Sequence, residues 1–154
     1  MSAPDLFLSK LHSQLSSPSL LHSTALTYNT SPTPSTKFPY AYSLCHSPTP
    51  SERTFGIQLM DELISEGYEY EEDCMYGKCV AQYLNNDFGS ARRTVEGILR
   101  YNPENGRAKE IWEVLRIKGE EKERRENVAI GTGVVAVGVG VVVGLVGIFM
   151  GKKR

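Results

Sequence analysis

Residues 128–150 carry no charged side chain, and this run limits the fold of the chain more than any other feature. It opens at Val128, closes at Met150 and reads VAIGTGVVAVGVGVVVGLVGIFM. A helix rises about 1.5 Å per residue, so the run can cross a hydrocarbon core of about 30 Å with some tilt. A buried helix of a soluble protein would be shorter and would show a polar face, and this run shows none. A single transmembrane helix is therefore expected over 128–150.

Gly151, Lys152, Lys153 and Arg154 follow it. A span so placed is expected to insert after synthesis, tail first, with the N-terminal region left in the cytosol. The three basic residues then cross the membrane, against the positive-inside tendency, although Lys122, Arg124 and Arg125 lie on the near side. Valine and glycine make the span only moderately hydrophobic. With the short basic tail, that points to the mitochondrial outer membrane, and also to peroxisomes, with Lys152, Lys153 and Arg154 as targeting residues. Gly140 and Gly144 stand four apart, a spacing that lets two helices approach closely. Self-association of anchors would follow, but a run this rich in glycine holds such pairs by accident, and that is the preferred reading.

Upstream of the anchor the chain divides by composition. Residues 1–36 are Ser/Pro-rich, with a short helix expected over 5–15. Residues 37–118 hold the apolar positions of a helical domain, and 119–127 form a charged juxtamembrane linker ahead of the anchor and the basic tail at 151–154. A domain of that size is near the limit of independent folding and needs efficient packing. Asn102-Pro103-Glu104 reads as a helix start, with Asn as N-cap and Pro at the first position. Ala108, Ile111, Trp112 and Leu115 then form one stripe. Phe88, Ala91, Val95, Ile98 and Leu99 make a second, capped by Asp87. Met75, Cys79, Val80 and Tyr83 predict a third helix, ending near Asn85-Asn86. Ile57, Met60, Leu63 and Ile64 predict a fourth with Ser51 as its cap, and residues 40–47 a short fifth.

Two helix pairs and a capping helix make the layout of tetratricopeptide repeats, with a period of about 34 residues. The expected fold is thus all-α, a tetratricopeptide-like antiparallel bundle followed by one C-terminal transmembrane helix. Counting back from Pro103 as the closing proline, Cys79 and Ala91 take the small positions where paired helices cross. Phe88 is the aromatic after the turn, and Val95 takes a core position.

Net charge is −1 and no basic stripe is interleaved with aromatics, so nucleic-acid binding is not indicated. Cys45, Cys74 and Cys79 show no CxxC spacing and read as buried residues in a reducing compartment. His12, His22 and His46 lie in dissimilar segments, without HExxH, GxSxG or a glycine-rich phosphate loop. The chain is therefore read as a non-enzyme, with no cofactor, metal or small-molecule substrate. Residues 69–73, with four carboxylates, read as a solvated helix start.

Three stretches resemble the mitochondrial fission 1 family. They are Phe38-Pro39-Tyr40-Ala41-Tyr42-Ser43-Leu44-Cys45-His46-Ser47, Gly56-Ile57-Gln58-Leu59-Met60-Asp61-Glu62-Leu63, and residues 83–103 with Asp87-Phe88-Gly89-Ser90-Ala91 inside. The order of these stretches, with the glycine-rich anchor and basic end, carries the resemblance from about residue 38 to 154. It departs from the family in three places. The Ser/Pro-rich segment leaves only residues 5–15 of the usual helical arm, with Leu8, Leu11 and Leu15 on one face able to dock on the repeats. Pro39 should delay the start of its helix. Gly77-Lys78 replaces an apolar pair, from which Lys78 can snorkel to the surface.

The resemblance implies an adaptor that recruits a dynamin-like GTPase, directly or through a second adaptor protein, to mitochondria and peroxisomes. Its repeats would form a concave face for a helix or extended segment. By repeat position Tyr76, Val80, Tyr83 and Leu84 would face that groove, with Tyr40 from the first repeat; ordinary packing between helices is the competing role for each. A tail-anchored co-chaperone would need Lys and Asn where this chain has Tyr76 and Val80. A tail-anchored import receptor is the harder alternative. Ser31-Pro32, Thr33-Pro34, Ser47-Pro48 and Thr49-Pro50 read as proline-directed phosphorylation sites.

Overall fold

A Ser/Thr-Pro pair sets the first turn of three consecutive helices. Proline lacks the amide that a first-turn residue would leave unpaired, and the preceding residue takes the N-cap. Ser17-Pro18 opens α2 (Pro18–Thr30), Thr33-Pro34 opens α3 (Pro34–Cys45) and Thr49-Pro50 opens α4 (Pro50–Ser65). Ahead of them Ser2 caps α1 (Ala3–Ser13) in a reciprocal box with Asp5, and α5 (Glu71–Leu84), α6 (Phe88–Tyr101) and α7 (Gly106–Gly151) complete the order. The computed structural model describes residues 1–151, and their side chains over residues 1–130. Among the described residues there is no strand.

Two units divide the chain, Met1–Ile117 and Lys118–Arg154. In the second, Lys122 and Glu126 face each other one turn apart at 3.7 Å, an exposed pair of small energetic weight. Among the residues with described side chains, 1–130, no helix is long and apolar enough to cross a membrane. For the anchor expected over 128–150 the side chains lie outside the described ones from residue 131 onward, the positions Gly140, Gly144 and Met150 included, and Lys152, Lys153 and Arg154 lie outside the described residues.

In the first unit the pairs α3–α4 and α5–α6 pack in sequence, with α4 against α5 and α2 laid on α3. This is the tetratricopeptide-like order. Helix α5 is central, because its two faces serve two apolar clusters. Cys74 and Ala81 join Ala41, Leu44, Cys45, Leu59, Met60 and Leu63. Tyr76, Cys79, Val80 and Tyr83 join residues of α1, α6 and α7. Both turns flanking α5 need the left-handed backbone conformation that closes a helix. Gly67 (φ 72°) supplies it after α4, and Asn86 (φ 60°) after α5.

Four expectations are corrected here. The stretch at 18–30, read as irregular, is helical. Its hydroxyls turn inward, Thr24 and Ser23 onto the Leu20 carbonyl, Thr27 onto Ser23 and Thr30 onto Leu26. Pro39 lies inside α3 and does not delay it, because the helix is already capped at Thr33 and Pro39 faces solvent. Thr49, not Ser51, is the N-cap of α4, since Pro50 fixes the first turn. Asn105, not Asn102, caps α7. Its Oδ1 accepts the Ala108 amide at 2.9 Å, while Asn102 closes α6. Asp87 does cap α6, accepting from the Ser90 amide at 3.1 Å. Lys78 reaches Asp61 at 2.5 Å, and the absence of a side chain at Gly77 lets Met60 and Tyr42 close in.

Candidate functional site

Tyr76, Val80 and Tyr83 recur on α5 at three- to four-residue spacing and so share one face. All three are buried, and Leu84 and Phe88 pack at the edge of the same cluster. Helix α6 closes one side through Ala91, Val95 and Ile98, and α7 the other through Ala108, Ile111, Val114 and Leu115. At the α5–α6 crossing both residues are small. There the Cys79 thiol donates to the Ala91 carbonyl at 3.3 Å. Pro103 stands exposed in the turn between α6 and α7.

Helix α1 covers this face. Phe7 and Leu11, 3% and 1% exposed, sit in the same cluster, and the Phe7 ring meets the Tyr83 ring edge-on at 5.3 Å. Burial of such side chains stabilises by about 1.5–3 kcal/mol each. The exposed Lys10–Glu110 pair between α1 and α7, at 2.6 Å, contributes about 1 kcal/mol at most. Apolar contact therefore holds α1 in place. Its linker is fixed at one point, where the Ser16 amide donates to the His46 carbonyl at 2.8 Å. Of the three leucines expected to dock, Leu11 is buried and Leu8 packs at the margin, while Leu15 is half-buried. Phe7, which sequence reasoning missed, is the other buried contact.

Tyr40 does not join this cluster and packs against the other one. It stacks on Tyr28 of α2 at 5.8 Å and meets Phe55 at 6.3 Å, beside a cavity of about 380 Å³ lined by Leu21, His22, Ala25 and Glu52. The α3 residue that faces α5 is Tyr42, two positions on. A Cβ at Gly77 would lie 3.3 Å from its ring. Tyr42 in turn stacks on His46 at 4.4 Å. The glycine in α5 was the available signal for this approach.

Charge gathers at the entrance of α5, where three carboxylates meet the positive end of the helix dipole. Asp73 holds Arg107 at 2.6 Å, and the Arg107 guanidinium lies 4.5 Å over the Tyr76 ring. Glu72 bridges Asn102 and Asn105, which fixes the α6–α7 turn against α5. Burial pushes the Tyr76 hydroxyl up to about 12. The same cause, with the charge of Asp5 second, takes Tyr83 to about 12, so both stay protonated donors. Burial likewise raises the Cys74 and Cys79 thiols to about 12 and Cys45 further, which leaves no reactive thiolate. The arrangement is an apolar, aromatic face of α5, buried under α1 and edged by charge.

No family model matches the chain. Among curated proteins it is similar to the mitochondrial fission 1 protein of Homo sapiens, 33% identical over 102 residues, covering 66% of this chain and 64% of that one. It is similar also to the mitochondrial fission 1 protein of Candida albicans, 30% identical over 86 residues, 54% of this chain and 56% of that one. The matched stretch thus spans less than two thirds of each relative's own length. A crystal structure of yeast Fis1, in complex with an Mdv1 fragment containing N-terminal extension and coiled coil domains, shares the fold. Its TM-score is 0.65 at 16% identity, over 70% of this chain and 87% of that one.

Proposed function

The chain belongs to the mitochondrial fission 1 family, and from that membership we propose that it is a non-enzymatic adaptor of organelle division. Residues 37–118 with their N-terminal helices form the recognition domain, 119–127 the juxtamembrane linker and 128–150 the anchor in the mitochondrial outer membrane. The partner is a dynamin-like GTPase or the adaptor that brings it, and peroxisomes are a second address.

One observation carries this reading: the α5 face with Tyr76, Val80 and Tyr83 is already filled by an amphipathic helix, α1. A groove that accepts one helix from its own chain has the shape and polarity to accept another from a partner. In the yeast complex the bound fragment carries helical coiled-coil sequence, which fits a helical visitor here. Leu84 lines the edge of the groove, and Tyr40 contributes to the α2–α3 contact instead. A partner must displace α1, so its affinity is set against the burial of Phe7 and Leu11.

Deletion of the gene followed by imaging of organelles tests the role. Elongated, fused mitochondria or peroxisomes are expected. Normal shape with defective uptake of protein precursors would replace the division role with that of an import receptor.

A further inference from the structure

Tyr83 brings a polar atom into an otherwise apolar contact. Its side chain is 2% exposed, and its hydroxyl is, among the described side chains, a buried polar group with no hydrogen-bond partner. The ring cannot swing to find one, because Phe7 and Phe88 each pack edge-on against it at 5.3 Å and 63–87°. A buried hydroxyl left unpaired costs about 1–3 kcal/mol, and phenylalanine at this position would avoid that cost. Helix α1 meets the site with Phe7, Leu11 and the edge of Leu8, which offer no acceptor, and although the charge of Asp5 on the same helix acts on Tyr83, the hydroxyl has no hydrogen-bond partner. It matches the groove in shape and apolarity but not in hydrogen bonding.

We propose that the Tyr83 hydroxyl is a specificity-determining donor kept for the groove's partner, an amphipathic helix with a neutral side-chain acceptor, Asn or Gln, where α1 places Phe7. The inference rests on the reading of the α5 face as the partner's groove and says what that partner must carry. A carboxylate would meet the same donor but would have to be desolvated as an ion, which a buried, apolar aromatic site disfavours. An amide oxygen is satisfied by one hydroxyl at lower cost. A site with a buried donor discriminates strongly against ligands that leave it unpaired. Helix α1 is then a built-in occupant of deliberately incomplete fit, and an acceptor-bearing helix displaces it.

The test uses the full chain in detergent micelles. Hydrogen exchange of the α1 amides is compared between the native chain and Tyr83→Phe. Three- to tenfold slower exchange in Tyr83→Phe is expected, because docking of α1 no longer strands a hydroxyl. Unchanged or faster exchange overturns the proposal, since the hydroxyl would then already be satisfied.

A second measurement uses two labelled peptides of residues 1–15, one native and one with Phe7→Gln, titrated by fluorescence anisotropy. The receptors are the Phe7→Ala chain, whose own α1 is weakened, and the Phe7→Ala, Tyr83→Phe double variant. The Phe7→Gln peptide should bind the first receptor at least fivefold tighter than the second, with the native peptide showing no such preference. Equal binding of the Phe7→Gln peptide to both receptors removes the donor role while the groove reading stands. Binding of neither peptide to either receptor overturns both.

Discussion

At the scale of single residues, two helical glycines that look alike in sequence should respond differently to a methyl group. At Gly56 a Cβ would lie 2.8 Å from the Cys45 amide nitrogen and 2.9 Å from Leu44 Cβ. Those neighbours are backbone and a fixed first carbon of α3, so α3 and α4 would have to separate. Gly56→Ala is expected to cost about 1–3 kcal/mol, read as a lower urea midpoint. At Gly97 the same atom meets only Met75 Cε, at 2.8 Å, the free end of a flexible side chain. Gly97→Ala should leave the midpoint unchanged or raise it, with up to about 1 kcal/mol available from helix propensity. A midpoint that falls as far as for Gly56→Ala would refute the distinction. His46 adds a pH dependence. Buried against Tyr42, its imidazole is held below the ordinary value of about 6.5 by loss of solvent. Below that value the unfolded chain takes up a proton that the folded chain resists, so stability is complete above pH 7 and is lost as pH falls towards 5. In His46→Asn that slope should flatten, as urea midpoints at pH 7, 6 and 5 would report.

Helix ends are where stability at the scale of elements is decided. Asn105 caps α7 and also binds Glu72 of α5, so Asn105→Ala removes a cap and half of Glu72's partners. A loss of about 1–2 kcal/mol is expected in thermal or urea unfolding. The same substitution at Asn102 should cost less, since Asn102 has no N-cap role. The sequence pattern around α6 was legible because its determinants are local: the Asp87 cap, the apolar spacing and the small Ala91 opposite Cys79 all lie within a few turns. Helix α2 was not legible. Its hydroxyls bond to their own backbone, which leaves no apolar period to read, and Ser17-Pro18 is equally a turn signal. The choice between Asn102 and Asn105 was beyond local reasoning too, because Glu72, about thirty residues away, pins both side chains. On α5, the spacing placed Tyr76, Val80 and Tyr83 on one face, and the three share one buried cluster. Phe7 was hidden among Leu6, Phe7 and Leu8, three adjacent apolar residues, and only the Tyr83 ring selects it. Tyr40 and Tyr42 were confused for a similar reason: both are aromatic, and α2, itself unread, covers one of them.

For the molecule as a whole, the decisive question is what surrounds the uncharged run at 128–150. Its residues offer water no polar side chain beyond Thr132, and burial of each methylene in lipid is worth about 0.8 kcal/mol. Placed in lipid, the valine-rich run would supply far more than the few kcal/mol needed to hold a small domain at a surface. Two kinds of attachment remain distinguishable. A spanning helix resists alkaline carbonate, whereas a chain held only through its recognition domain is released with the peripheral proteins. The full chain is therefore expected in the carbonate-resistant pellet of mitochondrial membranes, and a chain shortened to residues 1–127 in the supernatant. Replacing Val139 and Val142 together by Arg should release the otherwise intact chain, because two guanidinium groups near the middle of the span cost about 5–7 kcal/mol on insertion scales. That variant keeps every residue of the first unit, so its far-ultraviolet circular dichroism and urea midpoint should match the native chain's. Release without loss of fold assigns the attachment to lipid. Retention of the double variant in the pellet would mean that protein contacts, not the bilayer, hold this chain at the membrane.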